Sequence, residues 1–155
     1  MYRWWVFVHI VGVVGFLLAH GTSVAVTFHL RRERDPKKVG ALIELSRTTT
    51  IALYGSTALL LVGGIVAAFI RDLWSRGWIW LSLVLLVLAG VSMGAMATPF
   101  YGRVAKAARI QASGGAPVPG QDLYVLLSSR RPLVIAGIGF VALIAIVYLM
   151  VLKPF

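Results

Sequence analysis

Apolar residues fall in four long runs, Trp4 to Leu30, Thr48 to Ile70, Trp78 to Thr98 and Pro132 to Leu152, separated by shorter polar connections. Each run reaches the roughly 20 residues that a helix needs to cross the hydrocarbon core of a bilayer. None alternates apolar and polar positions with a period of two, so the runs predict helices, which satisfy their own backbone groups in lipid, and not the strands of a barrel. The expected fold is all-α: an integral membrane four-helix bundle forming one domain over residues 1–155, with spans at about 4–30, 48–70, 78–98 and 132–152. The first run is too long for a cleaved signal, lacks a small-residue cleavage site and ends in the stop-transfer block RRERDPKK, so it is expected to be retained.

The connections carry their own patterns. Asp35 and Pro36 have the types of a helix cap and first helical position, so the second helix is expected to begin before the membrane and run straight into it at Thr48. RDLWSRG reads as a tight turn. After Pro99, FYGRVAKAARIQA sets Phe100, Val104 and Ala108 on one face and Arg103 and Lys106 on another, the pattern of a short helix lying on a membrane surface. SGGAPVPG reads as a flexible link. Gln121 or Asp122 then opens a helix through DLYVLLSSRR that bends at Pro132 into the fourth span.

Composition agrees with this pattern: 59% of residues are hydrophobic, 13% are charged and mean hydropathy is +0.89, well outside the range of soluble domains. The net charge of +10 gains meaning from its distribution. Arg31, Arg32, Arg34, Lys37, Lys38 and Arg47 follow the first span, and Arg103, Lys106, Arg109, Arg130 and Arg131 lie between the third and fourth. Only Arg3, Arg71, Arg76 and Lys153 fall on the other side. The positive-inside tendency makes the basic segments cytoplasmic, giving an N-out/C-out protein of the plasma (inner) membrane with short cytoplasmic helical extensions. Trp4, Trp5, Trp74, Trp78 and Trp80 gather at the opposite boundary, where indoles favour the headgroup layer. Membrane lipids with anionic headgroups are the expected partners of Arg31, Arg32, Lys37, Lys38, Arg103, Lys106 and Arg109, at roughly 1 kcal/mol each. The same distribution argues against nucleic acid.

Candidate chemistry is confined to a few side chains. There is no cysteine, which excludes disulfides and thiolate ligands, and no Asp or Glu lies within a span, which argues against carboxylate proton relays. No Ser, His and acid set and no phosphate-binding loop is visible, and no catalytic residue can be located. The three histidines all lie in the first run. His9 and His20 are eleven residues apart, so they share a helix face with Gly12, Val13, Phe16, Ser23 and Thr27 but stand about 16 Å apart along the axis. They cannot share one metal ion, and their face is expected to point into the bundle. His29 lies on the opposite side, as a boundary residue. His20 and Met93 lie sixteen and fifteen residues inward of Trp4 and Trp78, on helices that run in the same direction, so their depths match. A buried imidazole is a haem b ligand by type, with methionine or a second histidine in the remaining position. Gly55, Ser56, Gly63, Gly64, Gly137 and Gly139 read as packing positions.

The opening YRWWVFVHIVGVVGFLLAHG, followed by a basic loop and three further spans, resembles an uncharacterised bacterial family of small four-helix integral membrane proteins. That family is distantly similar to the copper-resistance D proteins and the J-type protoporphyrinogen oxidases. In the latter a first-helix histidine is associated with haem and a third-helix lysine with function. His9 takes the corresponding place, whereas the third span has no lysine, the nearest being Lys106.

Three functions fit these residues: a haem- or tetrapyrrole-binding protein using His20, His9 and Met93; an accessory subunit packing against a larger membrane complex; and a small transporter or metal-handling protein. A homodimer that brings a histidine from each first helix to one iron is a further expectation.

Overall fold

A computed structural model describes residues 1–116 and 122–154. The chain forms α1 (Tyr2–Arg32), α2 (Pro36–Ile70), a short 3-10 turn (Leu73–Ser75), α3 (Gly77–Ala112), α4 (Leu123–Ser128) and α5 (Arg131–Leu152). Among the described residues, four stretches are long and apolar enough to cross a membrane: α1, α2, α3 and residues 123–152. Helix α1 packs chiefly on α2 and α3 chiefly on α5, and contact between α2 and α3 joins the two antiparallel hairpins.

Glycine determines how closely the first pair approach. A Cβ built on Gly63 would stand 2.6 Å from the backbone nitrogen of His9 and 3.0 Å from the Trp5 carbonyl oxygen. One on Gly12 would overlap the Leu60 backbone. The two helices therefore meet backbone to backbone, and any larger residue at either position must push them apart. Lipid supplies no hydrophobic force between helices, so this close packing and its dispersion contacts carry the pair.

At the basic end the helices project beyond the apolar runs. Asp35 caps α2 by accepting from the Lys37 N–H at 2.9 Å, with Pro36 in the first turn, as the sequence predicts. Beside it, Glu33 accepts from the backbone N–H groups of Asp35 (3.0 Å) and Arg34 (2.8 Å), which hold its carboxyl below the usual range. The expected surface helix after Pro99 is not separate: α3 continues through Pro99 to Ala112. Its apolar face is the predicted one, but Phe100, Val104 and Ala108 bury against Val26, Leu30, Val39, Ile43 and Leu127 instead of lipid. That packing outweighs the single helical hydrogen bond a proline removes.

Asp122 caps α4 by accepting from the Tyr124 N–H at 2.8 Å; the alternative cap, Gln121, and residues 117–120 of the link lie outside the described residues. The chain breaks at Ser129 and Arg130, ahead of Pro132, and does not bend at it. Pro132 sits in the first turn of α5, where its missing N–H has no partner to lose. Arg31 donates to the Ser129 carbonyl freed by this break, and the Tyr124 hydroxyl donates to the Arg34 carbonyl at 3.2 Å.

The opposite end turns through Asp72 in the left-handed region (φ 50°). Trp78 is only 6% exposed there, packed with Ala68, Ile79 and Leu149, so it belongs to the protein core and not to the headgroup belt expected for it. Trp4 and Trp80 remain exposed at that boundary.

Gly12→Ala is expected to cost about 1–3 kcal/mol by forcing α1 and α2 apart. Gly21→Ala, whose Cβ meets nothing within 4 Å, should change stability by less than about 0.5 kcal/mol. Unfolding in mixed micelles compares the two.

Candidate functional site

The rotation of α1 set by Gly12 and Gly63 turns its polar face inward. His9 places Nδ1 2.7 Å from the Leu60 carbonyl oxygen, and its ring lies over Gly64, where a Cβ would come within 2.8 Å of Nδ1. A carbonyl only accepts, so Nδ1 carries the proton. His9 thus clamps α1 to α2 and is not bonded to headgroups or water at this atom. His29 is exposed, with Nδ1 3.0 Å from the Ala25 carbonyl oxygen of its own helix, as a boundary residue should be.

His20 is half-buried and meets groups from two other helices. The Phe16 ring stacks on it with centroids 5.9 Å apart and planes inclined by 12°. Its Nε2 and Cε1 both lie 2.8 Å from the point where Gly139 of α5 would carry a Cβ, and Met93 Sδ of α3 lies 2.8 Å from the same point. The imidazole nitrogen and thioether sulfur therefore both pack on the Gly139 backbone, in place of the methyl group a larger residue would put there, and are separated by no more than twice that distance. The predicted match in depth of His20 and Met93 corresponds to this convergence; His9 is not part of it.

Gly139 was readable only as a packing residue. Its partners come from remote parts of the chain, although its depth inward of Pro132 falls between those of Met93 from Thr98 and His20 from Leu30. Toward the basic end the same interior holds hydroxyls. Ser23 Oγ lies 3.2 Å from Thr49 Oγ1 of α2, and Thr27 Oγ1 lies 2.7 Å from the Tyr101 hydroxyl of α3. Ser23 and Thr27 were expected on this face; Thr49, at the start of the second apolar run, and Tyr101, just past the third, carried no such signal. Among the described residues, no three of His, Cys, Asp and Glu gather as a ligand set.

Of the cations expected to meet headgroups, Arg32, Lys37, Lys38, Arg103, Lys106 and Arg109 are exposed. Arg31 is half-buried and bonded to Ser129, so part of its guanidinium already has a protein partner. His29, Arg32, Glu33 and Lys38 rim an open groove of about 490 Å³ floored by Leu42 and Leu45.

A family model described as a predicted integral membrane protein (DUF2269) matches residues 4–154. No curated protein and no solved structure matches the chain, so the expected distant likeness to copper-resistance D proteins and J-type protoporphyrinogen oxidases gains no support.

Nitrogen-15 shifts of the His9 ring are expected to place its proton on Nδ1 and leave Nε2 bare. The reverse tautomer contradicts the Leu60 bond. His9→Ala should lower stability by about 0.6–2 kcal/mol, the range for hydrogen bonds between membrane helices.

Proposed function

We propose that the chain, which belongs to this family of predicted integral membrane proteins, handles a soft monovalent metal ion, holding one Cu(I) inside the bilayer between His20 and Met93. The observation that carries this reading is the convergence of His20 and Met93 at Gly139. Two neutral donors, an imidazole nitrogen and a thioether sulfur, come from different helices onto the backbone of Gly139, each 2.8 Å from the position a Cβ would take there. Thioether and imidazole donors suit Cu(I), whereas hard divalent cations favour carboxylates, and all five carboxylates of the chain lie outside the predicted spans.

The closeness of the α5 backbone at Gly139 favours a bare ion over haem b. A macrocycle with its iron at His20 Nε2 would displace the α5 backbone at Gly139. His9 lies about 16 Å along the same helix with one ring nitrogen engaged, so it supplies no second ligand to that iron. A homodimer sharing one haem between first helices requires His20 to face outward, and its ring faces α3 and α5 instead.

The accessory-subunit reading has one observation in its favour. Gly90 and Gly94 lie one turn apart on an exposed face of α3, with nothing within 4 Å of either Cβ position, the small-residue pattern on which membrane helices dock.

Purified protein loaded anaerobically with Cu(I) and exchanged into metal-free detergent is expected to retain about one copper per chain. His20→Ala, Met93→Leu and Gly139→Ala should each weaken retention at least tenfold while circular dichroism stays helical. Absence of retained copper, or retention unchanged in His20→Ala and Met93→Leu, overturns the reading. A Soret band lost in His20→Ala restores the haem alternative.

A further inference from the structure

We infer that the groove at the basic end seats one phospholipid of single net negative charge, its phosphodiester held between Arg32 and Lys38 and an acyl chain led along α2 into the bilayer. The seat does not depend on copper. Charge distribution alone sets every exposed cation against headgroups; the groove gathers two of them around one apolar floor.

The groove lies between the end of α1 and the start of α2, and its volume of about 490 Å³ falls in the range of small-ligand clefts. Its level follows from the flanking apolar runs. His29 is the last residue but one of the first run, and Leu45 stands three residues before the second begins at Thr48. The groove therefore sits in the headgroup layer. On α2, Lys38, Ala41, Leu42 and Leu45 recur at helical spacing, so this wall changes from cationic to apolar in the direction of the membrane. Ala52, seven residues beyond Leu45 on the same face, is exposed as well, and its small side chain continues the track an acyl chain would follow.

The charges on the rim match a phosphodiester. Among the described residues the ion pair in contact joins Arg47 to Glu44, so Arg32 and Lys38 have no carboxylate against them. Glu33, the one acid on the rim, commits its Oε1 to the N–H groups of Arg34 and Asp35. Its charge offsets one of the two cations, and with His29 neutral the rim keeps a single positive charge. Lys38 also stands in the first turn of α2, which holds no acidic residue and where the helix dipole disfavours a cation. An anion seated beside it relieves that repulsion and is itself favoured by the dipole. His29 donates from Nδ1 to the Ala25 carbonyl at 3.0 Å, so in the neutral ring Nε2 is the acceptor, suited to a headgroup hydroxyl such as phosphatidylglycerol carries.

Protein in a neutral detergent would be titrated with phosphatidylglycerol or phosphatidylcholine, and bound lipid counted by native mass spectrometry. One phosphatidylglycerol per chain is expected to bind at least about tenfold more tightly than phosphatidylcholine. Arg32→Gln combined with Lys38→Gln should weaken it by at least about tenfold, whereas Arg103→Gln combined with Lys106→Gln, exposed cations outside the groove, should weaken it by less than about twofold. Ala41→Trp fills the groove at an exposed position and keeps every charge; it should weaken binding several-fold while circular dichroism stays helical. Millimolar glycerophosphoglycerol, the headgroup without its chains, should not displace the lipid. Equal affinity for the two lipids, equal losses in the two double variants, unchanged binding in Ala41→Trp, or displacement by the free headgroup overturns the inference.

Discussion

The architecture depends on the backbone-to-backbone contact of α1 and α2 at Gly12 and Gly63. Within a bilayer, leucine gains little by leaving lipid for protein, so helix pairs must be held by close approach and by hydrogen bonds. Glycine gives the approach, and the bond from His9 to the Leu60 carbonyl adds a directional lock. Together they fix both the separation of the helices and the rotation of α1. That rotation decides where His20, Ser23 and Thr27 point, and therefore what the interior of the bundle contains.

A different force operates at the basic end. There the extensions of α2 and α3 leave the predicted spans, and Val39, Val104 and Leu123 are fully buried at 0% exposure. In an aqueous setting each such side chain contributes about 1.5–3 kcal/mol through the hydrophobic effect, more than a packing contact in lipid supplies. This small core holds α4 against the basic end of the bundle, assisted by Arg31 on Ser129 and Tyr124 on Arg34. The middle of the bundle has far fewer large buried side chains, which leaves it room for polar groups. Glycine serves there a second time: at Gly139 the missing methyl leaves the place where imidazole and thioether meet.

Much of this was legible in the chain. Uninterrupted apolar runs near bilayer length gave the four spans, Asp35 and Pro36 gave the start of α2, and the spacing of His20, Ser23 and Thr27 gave the inward face. The apolar face of Phe100, Val104 and Ala108 was also legible, but periodicity cannot say whether such a face meets lipid or protein, and here it meets protein. Trp78 shows the same ambiguity. Pro99 and Pro132 illustrate the weakness of a breaker as a local signal: packing carries α3 through the first, and the second starts a helix whose break lies two residues earlier. The depth match of His20 and Met93 needed only counting. Gly139, Thr49 and Tyr101 could not be found in that way, because their roles arise from contacts between helices far apart in sequence.

The convergence of His20 and Met93 is the claim on which the site stands. Solid-state NMR of the protein in bilayers, with nitrogen-15 in the His20 ring and carbon-13 in the Met93 methyl group, tests it without any metal. A dipolar contact between the His20 ring and that methyl carbon, reduced when a larger residue replaces Gly139, is the expected result. A Met93 methyl that shows contacts to lipid chains and none to the ring contradicts the account.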